Sequence, residues 1–224
     1  MKIGVAIPSY YGHITRLFDL LDSIENQTVL PDKVVVSCSS TSSFENTKKY
    51  NFSLDIIITS DKHNASQNRN IAALNLLNMN YITFMDADDI MHPQRIEFLL
   101  KGFQSHDSDI ILHNYFEWTK GTIEKFFEIF EEINIRTHTL IQSCTGCITQ
   151  INGYSDRVDK IHHGQVTVKR SIFEQVQFPE EREFETKEDS VFCYRVFSLP
   201  NIKHTYIQNE LSYYNPSHTG GIAQ

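Results

Sequence analysis

"YITFMDADDIMHP", Tyr81 to Pro93, sets three carboxylates directly behind a run of apolar residues. Acidic side chains seldom close a buried strand without a partner, because an unpaired buried carboxylate is costly. The apolar run reads as a strand covered on both faces, which is the habit of parallel sheets. On an extended strand Asp86 and Asp88 project to one side and Ala87 to the other. Two neighbouring carboxylates repel unless a cation lies between or beside them. Oxygen ligands in this arrangement suit Mg2+ or Mn2+, which keep phosphates and waters as their remaining ligands. The small Ala87 leaves room for a bulky ligand. The plainer alternative is that Asp89 caps the helix opened by Pro93, with the other two acids solvated.

Upstream of this stretch, strands alternate with helices. "KIGVAIP" is a β-rich run, and in "HITRLFDLLDSIENQ" Ile14, Leu17, Phe18, Leu21 and Ile24 fall on one helical face. "KVVVSC", "LDIIITS" and "YITFM" are further strands, and "ASQNRNIAALNLLN" is a helix before the last of them. After Pro93, Ile96, Leu99, Leu100 and Phe103 repeat at helical spacing. This order predicts an α/β fold with an open, mostly parallel sheet flanked by helices. In such sheets ligands bind outside the carboxyl ends of the strands, where the acids stand.

Downstream the texture changes. "TIEKFFEIFEEI" predicts an amphipathic helix with Ile123, Phe126, Phe127, Phe130 and Ile133 inward. "THTLIQSC", "CITQI" and "QVTVK" are short β-like pieces, and a helix begins near "KEDSVFCYRVF". With no low-complexity linker between the halves, residues 1–224 read as a single domain. Its half up to about residue 115 carries the strand–helix alternation, and the half from about residue 116 adds mixed structure over the sheet edge.

A formal net charge of −8 argues against a general nucleic-acid binder, which shows a basic stripe. No stretch approaches the roughly 18 consecutive apolar residues of a membrane span. "MKIGVAIPSYYGH" is too short in its apolar run for a signal peptide and reads as a first strand, so a cytoplasmic location is expected. The "CTGC" pair of Cys144 and Cys147, with His162 and His163 after it, lacks the usual spacing of zinc-ligand histidines; reduced thiols are expected.

Taken in order, these segments resemble the large family 2 group of glycosyltransferases, with the GT-A (Rossmann-like) fold. The first strand with its Pro-x-Tyr turn and "SIENQT", "NRNIAAL", "YITFMDADDIMHPQRIEFLL", and "HGQVTVKRSIFEQVQF" followed by "KEDSVFCYRVF" each match a family segment. The resemblance implies that Asp86 contacts the ribose or the metal and that Asp88 holds Mn2+ or Mg2+ against the diphosphate of a nucleotide-sugar. It implies a catalytic Glu188–Asp189 pair in which Asp189 is the base for the acceptor hydroxyl. Pro8, Ser9 and Tyr10 form the turn under the base, Arg69 steadies a phosphate or ribose hydroxyl, and Ala87 belongs to the same donor site. His218, in "YYNPSHTGG", completes the metal site. One departure stands out: the family's "DDGS" after the second strand is "SCSST" here, so the uracil-binding aspartate is missing. Cys38, Ser39 and Asp61 are the candidates to stand in, and UDP remains the expected donor nucleotide.

The expected activity is inverting, metal-dependent transfer of a sugar to a hydroxyl acceptor, a glycan. A nucleotidyltransferase is the enzymatic rival, but "IPSYYGHITR" has no Gly-rich basic loop. A phosphatase of the haloacid dehalogenase type also carries Asp-x-Asp, yet not this deep in a chain and not followed by Asp89-Ile90. The rival from another class is a non-catalytic sugar- or nucleotide-binding module of the same fold.

Overall fold

The computed structural model describes residues 1–44, 48–117, 120–136, 140–142, 148–151 and 166–214. In chain order the elements begin with β1 (Ile3–Tyr10), a 3-10 turn (Tyr11–His13), α1 (Ile14–Glu25), β2 (Lys33–Ser39) and β3 (Ser53–Ile58). There follow α2 (Ala65–Leu74), β4 (Tyr81–Phe84), β5 (Ile90–Met91), α3 (Arg95–His106) and β6 (Ile110–Glu117). The second half contributes α4 (Ile123–Phe126), β7 (Ile135–Arg136), β8 (Leu140–Gln142), β9 (Ile148–Ile151), β10 (Thr167–Lys169) and α5 (Arg170–Phe173). The last elements are α6 (Glu188–Phe197) and β11 (His204–Tyr214).

The four early strands pair in parallel in the order β3-β2-β1-β4. The apolar runs of β1 and β2 are explained by two covered faces, whereas β3, at the sheet edge, is only partly buried. Ile3, Val5, Ile7, Val34 and Val36 pack beneath α1 and α3 with Leu17, Leu21, Ile96 and Leu99. Ala6 and Val35 point the other way, into a core built with Ala72 and Ala73 of α2 and Phe192 of α6. Because β2 lies on one side of β1 and β4 on the other, the strand order reverses at β1, the place where sheets of this kind hold ligands in a cleft outside their carboxyl ends.

The second half does not sit over the sheet edge as expected. It completes the sheet: β10 inserts antiparallel between β4 and β6, and β11 runs parallel to β6. β5 and β7 pair antiparallel with β11, while β8 and β9 form a separate two-stranded sheet. Pro93 precedes the N-cap Gln94 of α3 instead of lying in its first turn, and Asp89 does not cap that helix. Among the described residues no helix is long and apolar enough to cross a membrane.

The helix predicted over "TIEKFFEIFEEI" stops after Phe126. Its later residues are captured by side chains from the segment before α3. Gln94 Nε2 donates to the Phe130 carbonyl (3.1 Å), and the Phe130 N–H donates to Gln94 Oε1 (2.7 Å). His92 Nε2 lies 3.1 Å from the Glu128 carbonyl, while His92 Nδ1 accepts from the Gln94 N–H at 3.2 Å. Phe130 and Ile133 still pack inward, but Phe127 and Ile129 are exposed.

These two bonds make His92 a neutral imidazole protonated at Nε2. The ring is fully buried, and burial pushes its pKa from 6.5 down to about 4, with the Glu128 carbonyl pulling weakly the other way. Because the unfolded chain binds that proton more readily, the stability this group contributes is complete above pH 6.5 and is lost as pH falls toward 4. The loss amounts to about 3 kcal/mol by pH 4. Urea unfolding at pH 7, 5.5 and 4 measures it, and His92→Gln flattens the slope over that window. An unchanged slope in the variant contradicts the assignment.

Candidate active site

The acidic cluster is carried by a turn, not by a strand. β4 ends at Phe84, and the Asp89 N–H closes the turn on the Asp86 carbonyl at 3.1 Å. Ala87 is 1% exposed and packs in the core beneath α1 and α3, so its methyl anchors the turn and does not line the cleft. Asp86 and Asp88 are half-buried on either side of it, while Asp89 is buried. Burial raises the Asp88 carboxyl above the usual range and the charge on Asp86 raises it further; His13 and Arg16 act against this. His13 Nε2 stands 3.8 Å from Asp88 Oδ2. The pair therefore carries the mutual repulsion that a bound cation relieves.

α2 delivers Arg69 to the other side of the turn. A capping box at Asn64 and Gln67 starts this helix, with the Gln67 N–H donating to Asn64 Oδ1 at 2.9 Å. Arg69 is 4% exposed, and its guanidinium donates through Nη2 to Asp86 Oδ1 (2.6 Å) and through Nη1 to Glu188 Oε1 (2.8 Å). Burial opposes the charge on Arg69, but Asp86, Glu188 and Asp189 outweigh it and hold the guanidinium protonated. The arginine expected on a phosphate or ribose is thus engaged by two carboxylates of the protein itself.

Glu188 and Asp189 open α6, whose first turn favours negative charge, and the N-cap Lys187 makes no side-chain cap. Burial lifts the Glu188 carboxyl, Arg69 pulls it back down, and Asp189 adds to the lift. Asp189 is half-buried, and its Oδ1 accepts from the Ser190 N–H at 2.6 Å. Tyr214, at the end of β11, faces the same space. Its phenol is raised by burial and then by Asp89, Asp86, Asp88 and Asp189 together. No motif in the sequence marks Tyr214, and none marks His13.

The carboxyl ends of β1 and β2 form the remaining wall. Pro8 is accommodated in β1 because pairing with β4 ends at Ala6, so its missing N–H leaves no gap in the ladder on that side. Ser9 is buried, and its carbonyl accepts from Asn68 Nδ2 at 3.1 Å. The same Asn68 amide nitrogen donates to Ser39 Oγ (3.0 Å), and Ser37 Oγ donates to Asn68 Oδ1 (2.9 Å). Ser39 is fully buried with its hydroxyl engaged, a bracing role where a base contact was expected. Asp61 is exposed on the neighbouring loop, where its carbonyl accepts from the Ser40 N–H at 3.0 Å. Tyr10 lies against the His13 ring with centroids 4.2 Å apart. Gly12 allows this, since a Cβ there would stand 2.5 Å from the tyrosine ring.

Asp86 and Asp88 are the neighbouring carboxylates of the turn, and no cluster of three or more metal-binding groups stands among the described residues. His218 lies outside the described residues, as do Cys144, Cys147, His162 and His163. Cys38 and Cys193 are buried free thiols.

Glycosyltransferase GlyA of Streptococcus pneumoniae serotype 4 (strain ATCC BAA-334 / TIGR4) is 32% identical over 132 residues, which is 57% of this chain and 19% of GlyA. Among solved structures, S. aureus TarS 1–349 in complex with UDP superposes with a TM-score of 0.69 at 18% identity, over 96% of this chain and 60% of that one. The TarS complex with UDP-GlcNAc gives 0.67 at 17% identity, over 96% and 58%. This likeness shows the α/β fold expected from the strand order, with the GT-A architecture that the family resemblance implied. The family model "Glycosyl transferase family 2" matches residues 5–175, more than half the sequence, and the chain belongs to that family.

Proposed function

We propose that this chain transfers a sugar from a UDP-sugar to a hydroxyl of a glycan acceptor, with inversion at the anomeric carbon and with Mn2+ or Mg2+. The observation that carries the reading is the meeting of the acidic turn after β4 with the Glu188–Asp189 end of α6, joined through Arg69 at the strand-order reversal. The donor set fits a hard divalent ion, which takes one or two protein carboxylates and completes its shell with phosphate and water. Asp88, with Asp86 beside it, would hold the ion, which when bound would neutralise charge on the departing diphosphate as a Lewis acid. Asp189 takes the proton from the acceptor hydroxyl as that oxygen bonds to the anomeric carbon and the bond to the diphosphate oxygen breaks. Tyr10 packs against the base side. TarS, solved with UDP and with UDP-GlcNAc, supports the choice of a uridine donor even though the "DDGS" aspartate is absent.

A panel of nucleotide-sugars, read by thermal shift with and without Mn2+ and then by release of nucleoside diphosphate, tests this. At about 100 Kd a specific ligand adds about 2.7 kcal/mol, or roughly 5–10 °C for a chain of this size. A UDP-sugar is expected to give that shift only with the metal, and to be turned over. No shift with any nucleotide-sugar refutes the proposal. A shift without turnover in the presence of glycan acceptors leaves a binding module.

A further inference from the structure

We propose that Arg69 and Glu188 form a positioning clamp, in which the guanidinium fastens the acidic turn after β4 to the first turn of α6 and so sets where Asp189 stands relative to Asp88. This rests on the transferase reading above and deepens it by separating the roles of the two acids that open α6.

The clamp is built to be rigid. Arg69 bridges two acids that lie 17 and 119 residues away in sequence, at 2.6 and 2.8 Å, and Phe178 packs against the guanidinium at 5.2 Å. α2 is bolted down on both sides of the arginine. Asn68 grips β1 and β2, as described, while Asn70 donates to the Phe178 carbonyl (3.0 Å) and accepts from the Phe178 N–H (3.0 Å). A planar fork with fixed donor directions transmits that placement to both carboxylates, which a lysine ammonium would not do. Glu188 is buried and bound to the fork, so it has little access to an acceptor hydroxyl. Asp189, half-buried one residue further on, retains that access. Asp86 and Glu188 thus share the arginine's charge, and Asp88 and Asp189 remain the acids turned to ligand.

Substitutions at Glu188 separate positioning from proton transfer. Glu188→Gln keeps an oxygen to accept from Arg69 Nη1 but cannot take a proton. Its kcat is expected to fall by less than about tenfold, whereas Glu188→Ala, which frees the helix end, lowers kcat on the order of a hundredfold with the donor KM little changed. If Gln loses as much as Ala, Glu188 is itself the proton acceptor and the clamp is overturned. A second readout needs no turnover. Arg69→Met strands the buried Glu188 and the half-buried Asp86, and adding Glu188→Gln removes the buried charge, so the double variant is expected to melt above Arg69→Met alone. Melting shifts that simply add overturn the clamp. If the parent processes no nucleotide-sugar, the transferase reading falls and the melting comparison still decides the clamp. If Arg69→Met does not fold, the Gln and Ala comparison at Glu188 decides it.

Discussion

Asp189→Asn is expected to lower transfer by orders of magnitude while leaving nucleotide binding in place. The substitution preserves shape and keeps the Oδ1 that accepts from the Ser190 N–H, so the start of α6 is undisturbed. What it removes is the capacity to receive a proton, and a positioned general base contributes about 10²–10⁴ in rate. Turnover is therefore expected to fall by about 10²–10⁴, while the Kd for UDP with Mn2+ moves by about twofold or less. Isothermal titration together with a transfer assay makes the comparison. Parent-like turnover in the variant would remove Asp189 from the chemistry, and a collapse of UDP binding would make it a donor-site residue. The contrast with Glu188→Gln is the sharper result. Two adjacent acids on one helix turn, changed in the same way, are expected to differ by one or more orders of magnitude in kcat.

The parts of this molecule that were legible beforehand share a physical cause. β2 carries an unbroken apolar run because Val34 and Val36 face one core and Val35 the other, and β1 does the same through Val5, Ile7 and Ala6. The acidic turn and α6 stood out because buried or helix-end carboxylates carry a cost that requires a reason. The parts that were missed obey contacts made far away in sequence. β6 has buried His113 and Asn114 in its middle, which hides it as an apolar run. β11 is eleven residues long, but its pairing with β6 slips between Ile207 and Glu210 and again before Tyr213, so no alternation survives. The phenylalanine-rich segment after α4 has the periodicity of a helix, yet Gln94 and His92 take its backbone groups. The sequence points Arg69 to a phosphate or a ribose hydroxyl because nothing local reveals that Glu188 waits 119 residues away.

Arg95 is where the deepest cost is concentrated. It is the first residue of α3, 0% exposed, and a cation there sits at the unfavourable end of the helix dipole. Burial pushes its pKa down to about 9, while the charges on Asp89 and then Asp86 act to raise it. Its fork is aimed at the root of the acidic turn. Nη2 donates to Thr83 Oγ1 (3.0 Å) and to the Phe84 carbonyl (3.0 Å), Nη1 reaches Met85 Sδ, and Nε donates to His113 Nε2 at 3.1 Å. Those strand residues lead directly into Asp86, so Arg95 braces the turn from beneath as Arg69 holds it from the side. Arg95→Met fills a similar volume but leaves Asp89 buried beside an apolar chain. Losing the buried hydrogen bonds of the guanidinium and the charge that offsets Asp89 is expected to cost about 3–5 kcal/mol, which lowers Tm by roughly 6–20 °C for a chain of this size. Adding Asp89→Asn to that variant removes the stranded charge and is expected to restore part of the loss. Calorimetry of the parent, both single variants and the double variant reads the coupling directly. If Arg95→Met melts within about 2 °C of the parent, a shift worth at most about 1 kcal/mol, the arginine is not the brace of the turn.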